Sequence, residues 1–149
     1  MQHVLEREMV IPRPRDEVFS FFSDAFNLEI ITPPRLRFEI FSEKPIPMRV
    51  GSEIRYRMRL FGMPFRWRTL IRKWDPPHRF VDGQESGPFR EWEHTHEFED
   101  LGDQTRMRDH VFWRLPLEPL GEIAFPIVRR QLEQIFDYRQ EVINTRFGS

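Results

Sequence analysis

Cysteine is absent from this sequence of 149 residues. Its absence excludes a disulfide scaffold, a thiol nucleophile and any metal site built on thiolates. Lysine is scarce: of the 23 basic residues, only Lys44 and Lys73 are lysine, and the rest are arginine. The 23 basic and 24 acidic residues leave a net charge of −1, so no overall field draws the chain to a polyanion. We therefore expect no nucleic acid as a partner.

Long apolar runs are also missing. No stretch approaches the roughly 18 consecutive apolar residues of a membrane span, and the first residues, MQHVLERE, carry charges where a signal peptide needs an apolar run. These features predict a cytoplasmic protein without integral membrane association. Aromatic residues make up 14% of the chain, which is enough large apolar surface for a folded core. The length favours a single domain over residues 1–149.

The hydrophobic pattern changes period twice along the chain. Residues 4–11 alternate as a strand does, and Pro14 with the acidic residues after it predicts the start of a short helix. A second short helix is expected over 25–31, and the prolines that follow this segment end it. Six more strands are predicted from the period-two pattern: 36–42, 51–61, 64–74, 79–86, 90–100 and 104–115.

The last segment returns to helical spacing. Seven apolar residues mark one face of a long helix over 120–147: Ile123, Val128, Leu132, Ile135, Phe136, Val142 and Ile143. Pro126 lies inside this pattern and cannot continue an intrahelical ladder. We therefore predict either a kink near residue 122 or a helix that begins at Phe125.

This order of elements, together with four segments, resembles the SRPBCC superfamily, which includes START lipid-transfer domains and the birch pollen allergen. The segments are IPRPRDEVFSFFSDAFNLEIITPP, MRVGSEIRYRMRLFGMPFRWRT, RFVDGQESGPFREWEHTHEFE and RLPLEPLGEIA with RRQLEQIFDYR. The chain is most similar to small bacterial proteins of the polyketide cyclase/dehydrase-like group. The resemblance implies an α+β helix-grip fold, in which a seven-stranded curved antiparallel sheet wraps round a long C-terminal helix and two short helices follow strand 1. It brings no catalytic motif and no cofactor.

The last predicted hairpin fixes a register that the charges support. A two-residue Gly102-Asp103 turn pairs Leu101 with Gln104. The same register places three acids opposite three bases on one face: Glu99 opposite Arg106, Glu97 opposite Arg108, and Glu91 opposite Arg114.

The other face of this hairpin carries the polar groups of interest. It presents Trp92, His94, His96 and Phe98 on one strand and Met107, Asp109, Val111 and Trp113 on the next. His96 lies opposite Asp109, and neither group is stable inside a core without a partner. Three interpretations stay open: a self-satisfied His–Asp pair, a polar anchor in a ligand cavity, and a pair that transfers protons. Two histidines and a carboxylate could also hold a metal, but spacing secures no further ligand, and we expect none.

One helix cannot fill the concavity of a seven-stranded sheet, so the inward aromatic residues either plug that space or line a pocket. We favour a pocket that binds a small apolar or aromatic ligand, such as a lipid or a polyketide-like molecule. Its expected lining is Tyr56, Met58, Trp67, Trp92, His94, His96, Asp109, Val111, Trp113, Leu132 and Phe136. The alternative is a cyclase or dehydratase in which His96 and Asp109, with His94 as a further candidate, move protons.

Arginines dominate the outer face of residues 53–72. If Gly62 and Met63 form the turn, Arg59 lies opposite Arg66 and Arg57 opposite Arg68. We interpret these arginines as a solvated face that discourages pairing at the edge of the sheet. The further alternative is that they form an interaction module that binds an acidic partner. The sequence leaves a homodimer open.

Overall fold

A computed structural model of the protein describes residues 1–44 and 46–148; residues 45 and 149 of the predicted domain lie outside this description. Seven strands form one antiparallel sheet in the order β1-β7-β6-β5-β4-β3-β2. The strands are β1 His3–Ile11, β2 Glu39–Ile40, β3 Glu53–Leu60, β4 Met63–Asp75, β5 Arg79–Ser86, β6 Glu91–Asp100 and β7 Thr105–Arg114. The α-helices are α1 Arg15–Phe22, α2 Leu28–Ile31 and α3 Phe125–Phe147, with 3-10 turns at Ala25–Asn27, Pro34–Leu36 and Leu120–Ala124.

The helix-grip fold is therefore confirmed, and the seven predicted strands are present. Strand β2 is shorter than the predicted 36–42, because Pro34–Leu36 forms a 3-10 turn. Arg37 then has a φ of 49°, a left-handed conformation that cannot continue a strand.

The β3–β4 hairpin corrects one predicted register. Its turn residues are Phe61 and Gly62, with φ values of 56° and 74°, which is the type I′ turn that matches the twist of a two-residue hairpin. This turn changes which arginines face each other across the two strands: Arg57 lies opposite Arg66, and Arg55 lies opposite Arg68. Acidic side chains pair with arginines on both strands. Glu39 accepts from Arg57 at 3.1 Å and Glu53 from Arg68 at 2.7 Å.

Helix α3 begins at Phe125, which confirms the second alternative at Pro126. Five residues of its predicted apolar face are buried against the sheet: Val128, Leu132, Ile135, Phe136 and Ile143. Ile123 was placed on that face, but it is 79% exposed because it belongs to the preceding 3-10 turn. None of the helices in the described part of the chain is long and apolar enough to cross a membrane.

Helix α3 packs against two apolar clusters. Its first half, through Leu132 and Phe136, joins the cluster that holds Trp67 and Trp113. Its last turns, through Ile143, join the phenylalanines of α1. Arg139 lies on the same side of the helix, three residues after Phe136 and four before Ile143, and so between the two clusters. This spacing directs the charged side chain of Arg139 toward the concave face of the sheet.

Candidate functional site

A cavity of about 100 Å³ lies between the concave face of the sheet and α3. Strands β3 to β6 supply one wall and α3 supplies the opposite one, and residues of α2 and of the loops complete the lining. Eight of the eleven residues predicted to bind a ligand line it: Tyr56, Met58, Trp67, Trp92, His94, His96, Leu132 and Phe136. The cavity places these side chains together, and their role in binding stays a prediction.

Three predicted lining residues lie elsewhere. Asp109 is buried behind His94, to which it is hydrogen-bonded, and so does not border the cavity. Val111 and Trp113 are completely buried in the apolar cluster under the first half of α3. Their inward direction was predicted correctly, but close packing leaves no space beside them.

Two charged lining residues were missed, Asp82 on β5 and Arg139 on α3. Both carried a sequence signal. Asp82 follows Phe80 at the two-residue spacing of one strand face. Arg139 continues the helical spacing of Leu132 and Phe136. The other lining residues that were missed are Leu28, Thr32, Phe38, Leu60, Phe89 and Ile135.

The histidines and acids form two hydrogen-bonded pairs. The predicted register is confirmed, with His96 opposite Asp109. The bonds nevertheless run diagonally: His94 Nε2 donates to Asp109 Oδ1 at 2.7 Å, and His96 Nε2 donates to Asp82 Oδ2 at 2.7 Å. The predicted His96–Asp109 contact is longer, at 3.6 Å from Nδ1 to Oδ1, and is not a hydrogen bond. Asp82 thus takes the position beside His96 that the sequence assigned to Asp109.

The two imidazole rings stack on each other, with centroids 3.7 Å apart and planes inclined by 24°. The His96 ring also stacks on Phe80 at 4.1 Å. His96 donates its Nε2 proton in the hydrogen bond to Asp82, so in the neutral ring the Nδ1 atom carries the lone pair. This Nδ1 atom is buried and has no hydrogen-bond partner in the described residues. It is an acceptor without a donor.

Burial and hydrogen bonding set the charges of this cluster. Burial alone would raise the pKa of Asp82 and Asp109, but the hydrogen bonds from His96 and His94 and the nearby positive charges hold both below the ordinary value. Burial, with the charge of His94, lowers the pKa of His96. At neutral pH the cluster therefore contains two carboxylates and an uncharged His96.

A metal ion is a poor fit to this geometry. Asp82, His94 and His96 each offer one ligand atom within 4.8 Å of the others. Imidazole binds a metal through a lone pair in the plane of its ring, and two nearly parallel rings stacked at 3.7 Å point their lone pairs side by side rather than at one point. The guanidinium of Arg139 adds a positive charge to the same cavity.

Comparison with known proteins identifies the family. Residues 11–137 match the model of the family described as polyketide cyclase / dehydrase and lipid transport. The chain belongs to that family, and the predicted resemblance is confirmed. A comparison with curated proteins found no match.

Solved structures share the fold. The protein TTHA0849 of Thermus thermophilus is 18% identical and superposes with a TM-score of 0.77 over 97% of both chains. A START superfamily protein from Mycobacterium smegmatis is 14% identical, with a TM-score of 0.74 over 97% of both chains. The ZhuI aromatase/cyclase of Streptomyces sp. R1128 is 16% identical, with a TM-score of 0.69 over 97% of this chain and 95% of its own. At these identities the similarity establishes the architecture alone.

Proposed function

We propose that the protein binds a small apolar or aromatic ligand in the cavity between the sheet and α3. The observation that carries this proposal is a cavity with aromatic and aliphatic walls into which a few polar side chains reach. Sites for small molecules have this composition, because the apolar wall provides affinity and the polar groups fix orientation.

The volume of the cavity limits the size of the ligand. An engineered apolar cavity of roughly 150 Å³ accepts benzene, whereas pockets for drug-sized ligands measure roughly 300–1,000 Å³. At about 100 Å³ the present cavity is close to the first class. Because the present cavity is smaller than that benzene-binding cavity, a single ring with a short substituent enters only if side chains of the wall move apart. A long-chain lipid or several fused rings require a much larger movement of the wall.

Titration calorimetry with ethylbenzene, acetophenone and benzoate tests this proposal. Leu132→Trp fills the cavity from α3, and Met58→Phe fills it more gently from β3 should the first variant fail to fold. Gln140→Trp adds the same ring to the exposed side of α3 and is the matched control. We expect binding by the natural chain and by Gln140→Trp, and none by a folded cavity-filled variant. The proposal is wrong if none of the three compounds binds the natural chain, or if filling the cavity leaves binding unchanged.

A second function, proton transfer on the bound ligand, is favoured by one observation. His96 combines a carboxylate on Nε2 with a buried Nδ1 that has no partner among the described residues. A neutral imidazole held in this way can take a proton from a carbon next to a ligand carbonyl, and the electron pair of that C–H bond passes to the carbonyl oxygen. Asp82 would stabilise the imidazolium that forms. The role given to Asp109 in the predicted cyclase or dehydratase mechanism passes to Asp82.

Exchange of the methyl protons of acetophenone in D2O, followed by NMR, tests this second function. We expect faster exchange with the natural chain than in buffer, and loss of that excess in His96→Gln. His110→Gln is the control, because His110 lies on β7 with its side chain 45% exposed. If the natural chain binds acetophenone without accelerating exchange, ligand binding remains and proton transfer is excluded for this ligand.

A further inference from the structure

Among the described residues, Arg139 is the one cationic side chain in the lining of the cavity between the sheet and α3. Its guanidinium lies over the ring of Phe136, 4.8 Å from the centroid. The Nε and Nη1 atoms are buried, and neither has a hydrogen-bond partner in residues 1–44 and 46–148. Buried N–H groups of a guanidinium without acceptors are costly. The site therefore calls for an acceptor that this part of the protein does not provide.

Tyr56 offers a second donor in the same lining. The Thr69 hydroxyl donates to the Tyr56 oxygen at 3.5 Å, so the Tyr56 hydrogen is left for another acceptor. Burial raises the pKa of Tyr56, which keeps the phenol protonated and able to donate at neutral pH. Tyr56 reaches the cavity from β3 and Arg139 reaches it from α3, so donors come from both walls.

The charges nearby decide which acceptor suits these donors. The carboxylates of Asp82 and Asp109 act on the Arg139 charge without hydrogen-bonding to it. Asp82 and Asp109 bring two carboxylates to one guanidinium, which is an excess of negative charge among these three groups. A ligand carboxylate would enlarge that excess in a buried place, where unpaired charge is most costly. A carbonyl oxygen accepts hydrogen bonds and adds no charge.

We propose that Arg139 and Tyr56 together recognise an uncharged carbonyl oxygen of the ligand and select against carboxylates. This inference rests on the proposed ligand-binding function. The ring of the ligand lies among the aromatic residues of the wall, and its oxygen occupies the position where the Arg139 and Tyr56 donors meet. Arg139 is in this view a specificity-determining residue.

Three single-ring compounds of similar size test the proposal by calorimetry at pH 7: acetophenone with a carbonyl, benzoate with a carboxylate, and ethylbenzene with neither. We expect the natural chain to bind acetophenone at least about tenfold more tightly than ethylbenzene, the fold-change of one hydrogen bond to a charged group. Benzoate should bind more weakly than acetophenone. In Arg139→Met, which keeps the apolar stem, the preference for acetophenone should vanish while ethylbenzene binds within about threefold of its natural affinity.

Arg146→Met is the control, because Arg146 lies exposed on the same helix outside the cavity lining. It should keep the preference, and Tyr56→Phe should lose part of it. Equal binding of ethylbenzene and acetophenone by the natural chain would overturn the proposal, as would an unchanged preference in Arg139→Met or tighter binding of benzoate. The proposed function fails in a different way, since none of the three compounds would then bind. A structural role for Arg139 alone would lower the affinity for all three equally.

Discussion

Replacement of Asp109 by leucine should destabilise the protein through His94. The Asp109 side chain is only 8% exposed, and it accepts the Nε2 proton of His94 at 2.7 Å. In Asp109→Leu this buried donor keeps no acceptor of comparable strength, and an unsatisfied buried polar group costs about 1–3 kcal/mol. For a chain of this length, a loss of about 2 kcal/mol lowers Tm by roughly 4–8 °C.

The double variant His94→Leu/Asp109→Leu separates this cause from a mere change of shape. Removal of both partners leaves no orphaned donor, so the double variant should recover part of the stability that Asp109→Leu loses. Urea unfolding followed by tryptophan fluorescence measures both, because Trp67 and Trp113 are buried nearby. Glu97→Leu, at an exposed position of β6, is the control and should stay within about 0.5 kcal/mol of the natural chain. The reasoning is refuted if Asp109→Leu is as stable as this control.

Three further predictions concern pH, the β3–β4 turn and the cavity wall. Because the folded chain lowers the pKa of His96, the unfolded chain takes up a proton first, and the free energy of unfolding should fall as pH drops below about 6.5. It should fall again below about 4, where the unfolded counterparts of Asp82 and Asp109 protonate before the folded ones. Urea titrations between pH 8 and 3 measure both steps, and an unchanged upper step in His96→Gln would contradict this assignment. Gly62→Ala should lower the free energy of unfolding by about 1 kcal/mol, because φ is 74° at this position. Unchanged stability would contradict this prediction and would indicate a type I turn at this hairpin instead. Leu132→Ala should cost about 2–5 kcal/mol and enlarge the cavity, so that naphthalene binds the variant more tightly than the natural chain; equal affinities would show that this wall does not limit size.

The sequence predicted most of the fold because its hydrophobic period is clear in nearly every element. Strand alternation from residue 53 to 60 and the helical spacing of α3 each admit one interpretation. The β6–β7 register was also predictable, because a two-residue Gly102-Asp103 turn agrees with the charge pairs. Two of the three pairs form, Glu99–Arg106 at 2.7 Å and Glu91–Arg114 at 3.4 Å. Arg108 instead bonds to Glu8 on β1, a strand whose register the sequence did not define.

The errors arise where the sequence allows two geometries of similar energy. Gly62 can be the first or the second residue of a two-residue turn, and that choice alone decides which arginines face each other. Asp82 could not be placed beside His96, because the length of the connection between β5 and β6 leaves their register open. The diagonal hydrogen bonds also depend on how the twisted strands bring side chains together, which a register does not specify.

Arg139 was missed for a different reason. Its helical position is explicit in the sequence, but an arginine is expected to extend its charge toward water. Only the packing of α3 into the sheet shows that two of its nitrogens are buried beside a cavity. The size of that cavity was equally beyond the sequence, since it is the small difference between a large concavity and the side chains that fill it.

A crystal structure of the protein soaked with bromobenzene tests the central claim most directly, because anomalous scattering locates the bromine without ambiguity. The account predicts a bromine between the sheet and α3, with the ring in contact with Trp67, Trp92 and Phe136. Bromine sites confined to the outer surface, with the side chains of the inner wall closed over the space, would contradict it.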